Sequence, residues 1–424
     1  MAARKSAKGS KQTLPFRHHL VLNQWLFSLF GFDSLSGQFD LGNREAPTLE
    51  AFRDRFQLIG ETSGRNAEGE HLLIQRIREN LNENAKLSDE QLLEYDRRIK
   101  QLTDTINNAR LASGEEPIEW KYFQYLTLLF TEIYLDYLFT KPDELLEALN
   151  HQIERWNEHW IVEQGFKHKP LELLNPEDDL WPQLNMVAYW SATGSGKTLI
   201  MHANILQYRF YLQRYGKAGD INKIILLTPN EGLTQQHLRD LEKSGIRASE
   251  FSARGGDLFA QDVIVIDINK LRDSEKKKTV AVDSFGSRNL LLVDEGHRGT
   301  ASGGGSWYEY RQKLCSLGFS FEYSATFAQS GSKHENLRQT YTKAILFDYS
   351  YRHFYGDGYG KQSQILNLQA NPNAQDEFRY LVASLLSYYQ QLRLFEDHGA
   401  SFKPFNLERP LWVFVSSKVS AGLS

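Results

Sequence analysis

The sequence predicts an α/β protein whose mainly parallel sheet is preceded by an all-helical N-terminal domain. After residue 180, short apolar runs alternate with helical segments, whereas residues 14–165 show only helical periodicity. Continuous apolar strands separated by helices are typical of a parallel sheet that is covered on both faces. Five such strands are predicted, at residues 186–189, 223–227, 263–266, 290–293 and 320–323.

The helical domain contains one strong start signal and one strong core signal. Ser88 followed by Gln91 is a capping-box pattern, so a helix of about twenty residues is expected to begin there. Its apolar residues recur every three or four positions, which predicts a core face, an antiparallel helix contact or a subunit-docking face. That stripe comprises Leu92, Tyr95, Ile99, Leu102, Ile106 and Ala109. The next helix, residues 120–139, is apolar nearly all round and should lie at the centre of this domain.

The length and composition limit the class of protein. At 424 residues, more than one domain is expected. The predicted parts are a basic tail (1–13), the helical domain (14–165), an α/β lobe (166–345), an aromatic and glycine-rich segment with a linker helix (346–405), and the start of a further lobe (406–424). The net charge of −4 restricts any nucleic-acid surface to a local patch. The single cysteine, Cys315, excludes a disulfide framework and favours a cytoplasmic location, and no membrane-spanning segment is predicted.

Residues 191–198, Ser-Ala-Thr-Gly-Ser-Gly-Lys-Thr, join a predicted strand to a predicted helix. Gly194 and Gly196 allow the backbone to approach an anion closely, and the helix N-terminus favours negative charge. The loop residues Thr193, Gly194, Ser195 and Gly196 are therefore expected to surround phosphates with their N–H groups. Lys197 is expected to reach the β- and γ-phosphates, and the Thr198 hydroxyl to hold Mg²⁺. The loop predicts a nucleoside triphosphate site that uses ATP and Mg²⁺.

A second predicted strand, residues 290–293, continues directly into Asp294 and Glu295. A carboxylate at the carboxyl end of a strand beside a phosphate-binding loop is where Mg²⁺ must be held. Asp294 is therefore expected to hold the metal, directly or through water. Glu295 is expected to act as the general base that polarises the attacking water.

Four segments occur in a fixed order, and together they carry a family resemblance. They are the loop at 191–198, with Ser191 where the usual P-loop has glycine, then Thr228-Pro229 after a predicted strand, Asp-Glu-Gly-His at 294–297, and Ser-Ala-Thr at 324–326. This order resembles motifs I, Ia, II and III of superfamily-two DNA helicases. Within that superfamily the chain most resembles the res subunits of type III restriction enzymes and related phage-defence translocases.

The resemblance implies a RecA-like ATPase lobe that drives translocation along duplex DNA, often beside a methyltransferase or another defence subunit. It implies that Thr228 and Pro229 contact the nucleic-acid backbone. It also implies that His297, Ser324 and Thr326 couple the ATP site to the nucleic-acid track. An RNA-directed or remodelling ATPase, and an ATP-binding scaffold without motor activity, remain alternatives at this point.

Two features of the family are missing from the sequence. Gln183 lies too close to the P-loop to be assigned as the glutamine that reads adenine, and no Gln-x-x-Gly-Arg-x-x-Arg motif occurs. That motif belongs to a second RecA-like lobe, whose first strand would be residues 411–415. The sequence therefore predicts a truncated second lobe.

The segment 347–361 is dense in aromatic residues and glycine. One interpretation is that its rings stack nucleic-acid bases. The other is a hairpin or an interlobe packing element. The rings concerned are Tyr349, Tyr351, Phe354, Tyr355 and Tyr359.

Overall fold

The computed structural model describes residues 14–32, 48–251, 263–272, 280–281, 285–295, 306–331, 334–360, 373–403 and 407–413. The predicted basic tail lies outside these residues. The chain forms two compact units, Met1–Gly360 and Lys361–Ser424. Within the described ranges, no helix is both long enough and apolar enough to cross a membrane.

The described N-terminal part is helical, as predicted. Its helices are α1 (Val21–Leu29), α2 (Thr48–Arg55), α3 (Leu72–Glu79), α4 (Asp89–Ala112), α5 (Tyr122–Thr140) and α6 (Pro142–Trp156). The capping box is confirmed, because the Ser88 hydroxyl accepts from the Gln91 N–H and the Gln91 side chain accepts from the Ser88 N–H. The α4 stripe faces the core, with Ala109 half-buried at its end.

The α/β part alternates strands with helices. In chain order its elements are α7 (Leu180–Leu184), β1 (Met186–Ser191), α8 (Lys197–Arg214), β2 (Lys223–Thr228), α9 (Glu231–Lys243), β3 (Ala248–Glu250), β4 (Val263–Asp267), β5 (Leu271–Arg272), β6 (Val280–Ala281), β7 (Asn289–Asp294), α10 (Ser306–Cys315), β8 (Phe319–Ser324), α11 (Phe327–Gly331), α12 (Glu335–Ala344), β9 (Ile345–Tyr349) and α13 (Tyr351–Gly356).

The described strands form a seven-stranded sheet in the order β3-β4-β2-β7-β8-β1-β9, and every neighbouring pair is parallel. A separate two-stranded pair joins β5 and β6. Because the ladder is parallel throughout, the carboxyl ends of β1, β2, β7 and β8 lie at one edge. The fold is therefore α/β with a RecA-like lobe, as the sequence predicts.

Both faces of the sheet are buried, because alternate residues of each strand pack into different apolar clusters. On β7, Leu290 and Leu292 pack in one cluster with α5 and α8, whereas Leu291 and Val293 pack in another with α10. The first cluster runs without a break from α1 through α5 to the sheet. One apolar core thus spans the helical part and the α/β part, and the division at residue 165 stays a prediction.

Helix α5 lies at the centre of this shared core. Nearly all of its residues are buried, and it contacts α4, α6, α8 and β9. A helix that is apolar all round is stable only when neighbours cover every side. Its central position confirms the prediction made for residues 120–139, although the helix begins two residues later, after the cap residue Lys121.

All five predicted strands are confirmed, whereas β3 and β9 of the main sheet and the short pair β5 and β6 were missed. Strand β9 pairs with β1 along residues 345–349 and extends the sheet to Tyr349. The aromatic segment is therefore a strand followed by the short helix α13, and the hairpin interpretation was wrong. Aromatic residues suit a buried pleated surface, but the glycines further along the segment dominated the sequence signal.

The second unit contains the predicted linker helix, α14 (Ala374–Phe402), which begins where Asn373 caps its first turn. The strand predicted at 411–415 is not found where the structure describes it. Residues 411–413 are not in a strand, and Leu411 is 83% exposed. A strand needs a neighbour for its N–H and C=O groups, and the described residues of this unit include none. Residues 414–415 lie outside the described ranges.

The shared core predicts that truncating a buried α5 side chain destabilises the whole first unit. Leu129 is 0% exposed, so Leu129→Ala should lower the free energy of unfolding by about 2–5 kcal/mol. The matched control is Leu111→Ala on α4, where the side chain is 59% exposed and the loss should stay within about 0.5 kcal/mol. Denaturant unfolding measures both. Equal losses for the two variants would contradict the central position of α5.

Candidate active site

The loop predicted to bind phosphate lies at the carboxyl edge of the sheet, between β1 and α8. Gly194 and Gly196 have φ values of 85° and 91°, a left-handed conformation that strains any residue with a Cβ. The Ser195 N–H donates to the Ala192 carbonyl at 3.2 Å, which closes the turn. Helix α8 then begins at Lys197, where the Leu199 N–H donates to the Gly196 carbonyl at 3.0 Å, and the first N–H groups of a helix have no partner within it. The arrangement, a glycine turn at the N-terminus of an 18-residue helix, is typical of sites that bind anions.

The lysine of this loop lies beside the acidic end of β7. Lys197 Nζ is 3.9 Å from Glu295 Oε1 and donates to the Ser191 carbonyl at 3.3 Å. The two charged side chains are only 12% and 22% exposed. Strands β1 and β7 are separated by β8 alone, so two distant parts of the sequence meet at one edge. This proximity was predicted and is the central feature of the site.

Glu295 has a φ of 58°, one of two positive values outside glycine in the described residues. A non-glycine residue in this region costs on the order of 1–3 kcal/mol and persists only where its surroundings hold it. Glu295, with its left-handed backbone conformation, directly follows the last residue of β7, and its side chain lies beside Lys197. The strained turn therefore aims the carboxylate at the phosphate-binding loop.

Asp294 has a partner that sequence reasoning missed. His237, on α9, lies with Nε2 3.1 Å from Asp294 Oδ2, and the imidazole is 4% exposed. A carboxylate only accepts, so Nε2 donates, and His237 Nδ1 is left buried without a hydrogen-bond partner in the described structure. No sequence signal marks this histidine, because the contact depends on α9 packing beside the β2–β7 pair. His237 fixes the orientation of the Asp294 carboxylate.

A second histidine, His202 on α8, is fully buried, and its Nδ1 lies 2.8 Å from the Ser244 hydroxyl. Burial, together with the electrostatic influence of the nearby His237, lowers the pKa of His202 to about 3. His202 is therefore neutral at pH 7. It ties α8 to the end of α9 without contacting the acids.

The structure buries both residues that were expected to contact a nucleic-acid backbone. Thr228 is 0% exposed, and its hydroxyl lies 2.6 Å from the Thr234 hydroxyl, which joins the end of β2 to α9. Pro229 is buried as well. At this strand end the exposed residues are 230–232. The Thr228 hydroxyl thus helps to hold α9 in place, and neither side chain faces solvent.

The Ser-Ala-Thr segment ends β8, between the strand of the phosphate-binding loop and the acidic strand. Ser324 is buried, and its hydroxyl accepts from the Thr326 N–H at 3.0 Å. The Thr326 hydroxyl is buried with no hydrogen-bond partner in the part of the chain described. Trp190 of β1 donates to the Ala325 carbonyl, which attaches this segment to the loop strand. His297, the remaining predicted coupling residue, lies outside the described residues.

The aromatic rings of 347–361 do not form one exposed stacking surface. Tyr349 is 1% exposed and stacks on Phe123 with ring centroids 3.8 Å apart, so it is a core residue. Base stacking by Tyr349 is therefore wrong, because its ring is buried against Phe123 and is not exposed to a nucleic-acid base. Tyr351 and Tyr355 are exposed, and Phe354 is half-buried beside Gly194.

A cavity of about 500 Å³ lies at the opposite end of β1 and β8, lined by Met186 and Ser320. Gln183 also lines it and exchanges hydrogen bonds with the backbone of Asn175, so this glutamine is far from the phosphate-binding loop. Because the loop and the acids lie at the other edge of the sheet, the cavity is not the candidate active site.

Comparison with known proteins finds a family model that matches the part of the chain containing this site. Residues 145–329 match the family model described as the type III restriction enzyme, res subunit. No curated protein matches the chain. One solved structure, the SWI2/SNF2 ATPase core from Sulfolobus solfataricus in complex with dsDNA, is 15% identical over 34% of this chain and 29% of that chain, with a TM-score of 0.23. Residues 145–329 are therefore similar to the res subunit of type III restriction enzymes, and they carry the P-loop, the acidic pair and the Ser-Ala-Thr segment.

Proposed function

We propose that this protein binds Mg-ATP at the carboxyl edge of its sheet and hydrolyses it to drive translocation along duplex DNA. The observation that carries the ATPase proposal is the approach of Lys197 Nζ to within 3.9 Å of Glu295 Oε1. It places the phosphate-binding loop and a carboxylate around one small space at the sheet edge. DNA, a role in restriction or phage defence, and a methyltransferase partner are proposed from the matched family.

The loop residues bind and orient the triphosphate. The N–H groups around Gly194 and Gly196, with the first turn of α8, supply donors and partial positive charge for phosphate oxygens. Lys197 adds a mobile cation that is already attracted to the site by Glu295. In the nucleotide complex, Lys197 would leave the Ser191 carbonyl and the Glu295 carboxylate and contact the phosphates instead. The phosphates would attract it more strongly, because they carry more negative charge than these two partners.

The residues present also fit a magnesium ion held jointly with the nucleotide. No group of three or more His, Cys, Asp or Glu side chains that could hold a metal occurs among the described residues. Mg²⁺ is commonly held by one or two protein ligands plus substrate phosphates. Thr198 and Asp294 would supply those ligands, with His237 orienting the carboxylate. When bound, the ion neutralises charge that develops on the transferring phosphoryl group.

Glu295 is the proposed general base. Its strained turn directs the carboxylate toward the loop that would hold the γ-phosphate, which is where an attacking water must be oriented. The carboxylate accepts a proton of that water as the water oxygen bonds to the γ-phosphorus and the bond between that phosphorus and the ADP oxygen breaks, so that ADP and phosphate are the products.

The Ser-Ala-Thr segment is the proposed coupling element between ATP and DNA. It lies between the two strands that carry the ATP site, and the Thr326 hydroxyl is free to form a new hydrogen bond when the segment shifts. Contact with the DNA backbone at the end of β2 is proposed for the main chain at Thr228 and Pro229, since their side chains are buried. His297 remains a proposed coupling residue.

The division of roles predicts different defects for Lys197→Ala and Glu295→Gln. Lys197→Ala should abolish ATP binding, because it removes the cation assigned to the phosphates. Glu295→Gln should bind ATP nearly normally but lose at least about 100-fold in turnover, because it removes the base and keeps the shape. Calorimetric titration with Mg-ATP and a phosphate-release assay measure the two effects. Loss of ATP affinity in Glu295→Gln as severe as in Lys197→Ala would refute the assignment.

The His237–Asp294 contact predicts a metal-specific defect. His237→Ala should raise the Mg²⁺ concentration needed for half-maximal ATP turnover by about 10-fold or more, because partners of metal ligands commonly contribute that much. His202→Ala is the matched control, since it also removes a buried, hydrogen-bonded histidine that contacts α9. A magnesium titration distinguishes them. The same shift in both variants would indicate a general packing defect instead.

The coupling role predicts that Ser324→Ala combined with Thr326→Ala spares basal ATP turnover. In the wild-type protein, duplex DNA should change the affinity for ATP by about 5-fold or more, a typical coupling between two sites. In the double variant this effect should shrink, because the hydroxyls that join the two sites are gone. ATP titrations with and without duplex DNA measure it. An undiminished DNA effect in the double variant would exclude these hydroxyls from coupling.

A further inference from the structure

The first turn of α5 reaches the phosphate-binding loop through one side chain. Gln124 Nε2 donates to the Ser195 carbonyl at 2.8 Å, while Gln124 Oε1 accepts from the Lys121 N–H at 3.0 Å. The two ends of one amide thus bridge the start of a helix in the helical segment and the loop of the α/β lobe. Gln124 lies far from the loop in sequence, and sequence reasoning missed it.

The contact is close as well as polar. A Cβ built on Gly196 would lie 2.4 Å from Gln124 Nε2, so the amide occupies the space that a side chain at position 196 would need. Because the peptide bond is planar and trans, its C=O and N–H point in opposite directions. Holding the Ser195 carbonyl toward α5 therefore directs the Gly196 N–H away from α5. The amide sets the orientation of a peptide that is assigned to phosphate binding.

The α5 turn that carries Gln124 is itself firmly held. The Tyr122 hydroxyl donates to the Asp357 carboxylate, which also accepts from the Tyr349 hydroxyl at 2.8 Å and from Arg53 at 2.6 Å. The Asp357 side chain is 1% exposed. Burial, together with the nearby Asp357, raises the pKa of Tyr122 and Tyr349 well above the usual value, so both phenols keep the protons that they donate.

The same platform holds the other end of the loop. Phe123 stacks on the Tyr349 ring at a 7° interplanar angle, and the Tyr349 carbonyl accepts from the Ala192 N–H at 2.9 Å. The loop is thus attached to β9 through Ala192 and to α5 through Ser195. Both attachments lead back to the residues around Asp357.

We propose that Gln124 is a positioning residue of the ATP site, which holds the Ser195–Gly196 peptide in its phosphate-binding orientation and makes the helical segment part of the ATPase. The proposal rests on the ATP-binding function proposed above. Gln124 does not contact the reacting atoms; it acts through the loop. Its removal should therefore weaken nucleotide binding more than it slows the chemical step.

The chain offers a matched control in Gln91. Gln91 occupies the same third helical position of α4, and its side chain accepts from the Ser88 N–H at 2.9 Å, as Gln124 accepts from Lys121. Gln124→Glu keeps the oxygen that caps α5 but replaces the donor to Ser195 with a second oxygen that faces the carbonyl. Gln124→Ala removes both interactions without adding charge. Gln91→Glu and Gln91→Ala repeat these changes at a glutamine whose side-chain hydrogen bond stays at the start of its own helix.

The measurements are calorimetric titration with Mg-ATP, the KM and kcat of ATP hydrolysis, and thermal unfolding without nucleotide. Gln124→Ala should raise the Kd and KM for ATP by about 3- to 10-fold, which corresponds to one lost hydrogen bond, with a smaller change in kcat. Gln124→Glu should raise both constants by about 10-fold or more, because two oxygens face each other. The Gln91 variants should stay within about twofold of the wild type. Thermal unfolding should shift similarly for Gln124→Ala and Gln91→Ala.

The proposal is overturned if Gln124→Glu binds Mg-ATP like the wild type, or if Gln124→Ala and Gln91→Ala change the ATP affinity equally. If Gln124→Glu does not fold, the pair of alanine variants decides by the same criterion. A wild-type protein that binds no Mg-ATP refutes the proposed function itself. If the wild type binds Mg-ATP and the Gln124 variants bind it with the same affinity, only the positioning role is refuted.

Discussion

The parallel pairing of β7, β8, β1 and β9 is the constraint on which the rest of the structure depends. Parallel strands end at one edge, so the residues after β1, β7 and β8 meet there although they are far apart in sequence. Reversing one strand would move its terminal residues to the other edge of the sheet. The nearness of Lys197 to Glu295 is therefore a consequence of strand direction before it is a matter of side-chain choice.

Strand direction alone does not hold a phosphate-binding loop in shape. The loop has two left-handed glycines and closes on itself through one backbone hydrogen bond, from Ser195 to Ala192. Two further hydrogen bonds support it: the Tyr349 carbonyl of β9 accepts from the Ala192 N–H, and the Gln124 amide donates to the Ser195 carbonyl. One of these contacts comes from α5, which precedes the sheet strands in the chain, and the other comes from β9, which follows all the other strands. The shared apolar core positions both of them, because it packs α5 directly against α8 and β9.

The acidic side of the site is organised by a different helix. Asn230 caps the start of α9, and the Thr234 hydroxyl of this helix forms a hydrogen bond with the Thr228 hydroxyl at the end of β2. One turn later His237 reaches Asp294. The end of the strand proposed to contact DNA and the acid proposed to hold Mg²⁺ are thus connected through a single turn of helix.

The sequence by itself determined the α/β class, the five central strands, the helix at 89–112 with its capping box, and the motifs that make Lys197, Asp294 and Glu295 candidate site residues. These features depend on local periodicity and on short motifs whose residues are adjacent in the chain. Tertiary structure decided the rest. Strand β9 was hidden because its aromatic composition suits a surface segment as well as a buried edge. The hydroxyl of Thr228 turned inward because α9 packs over it. The roles of His237 and Gln124 depend on how α9 and α5 pack against the sheet, and no local pattern records a contact between residues so far apart in sequence.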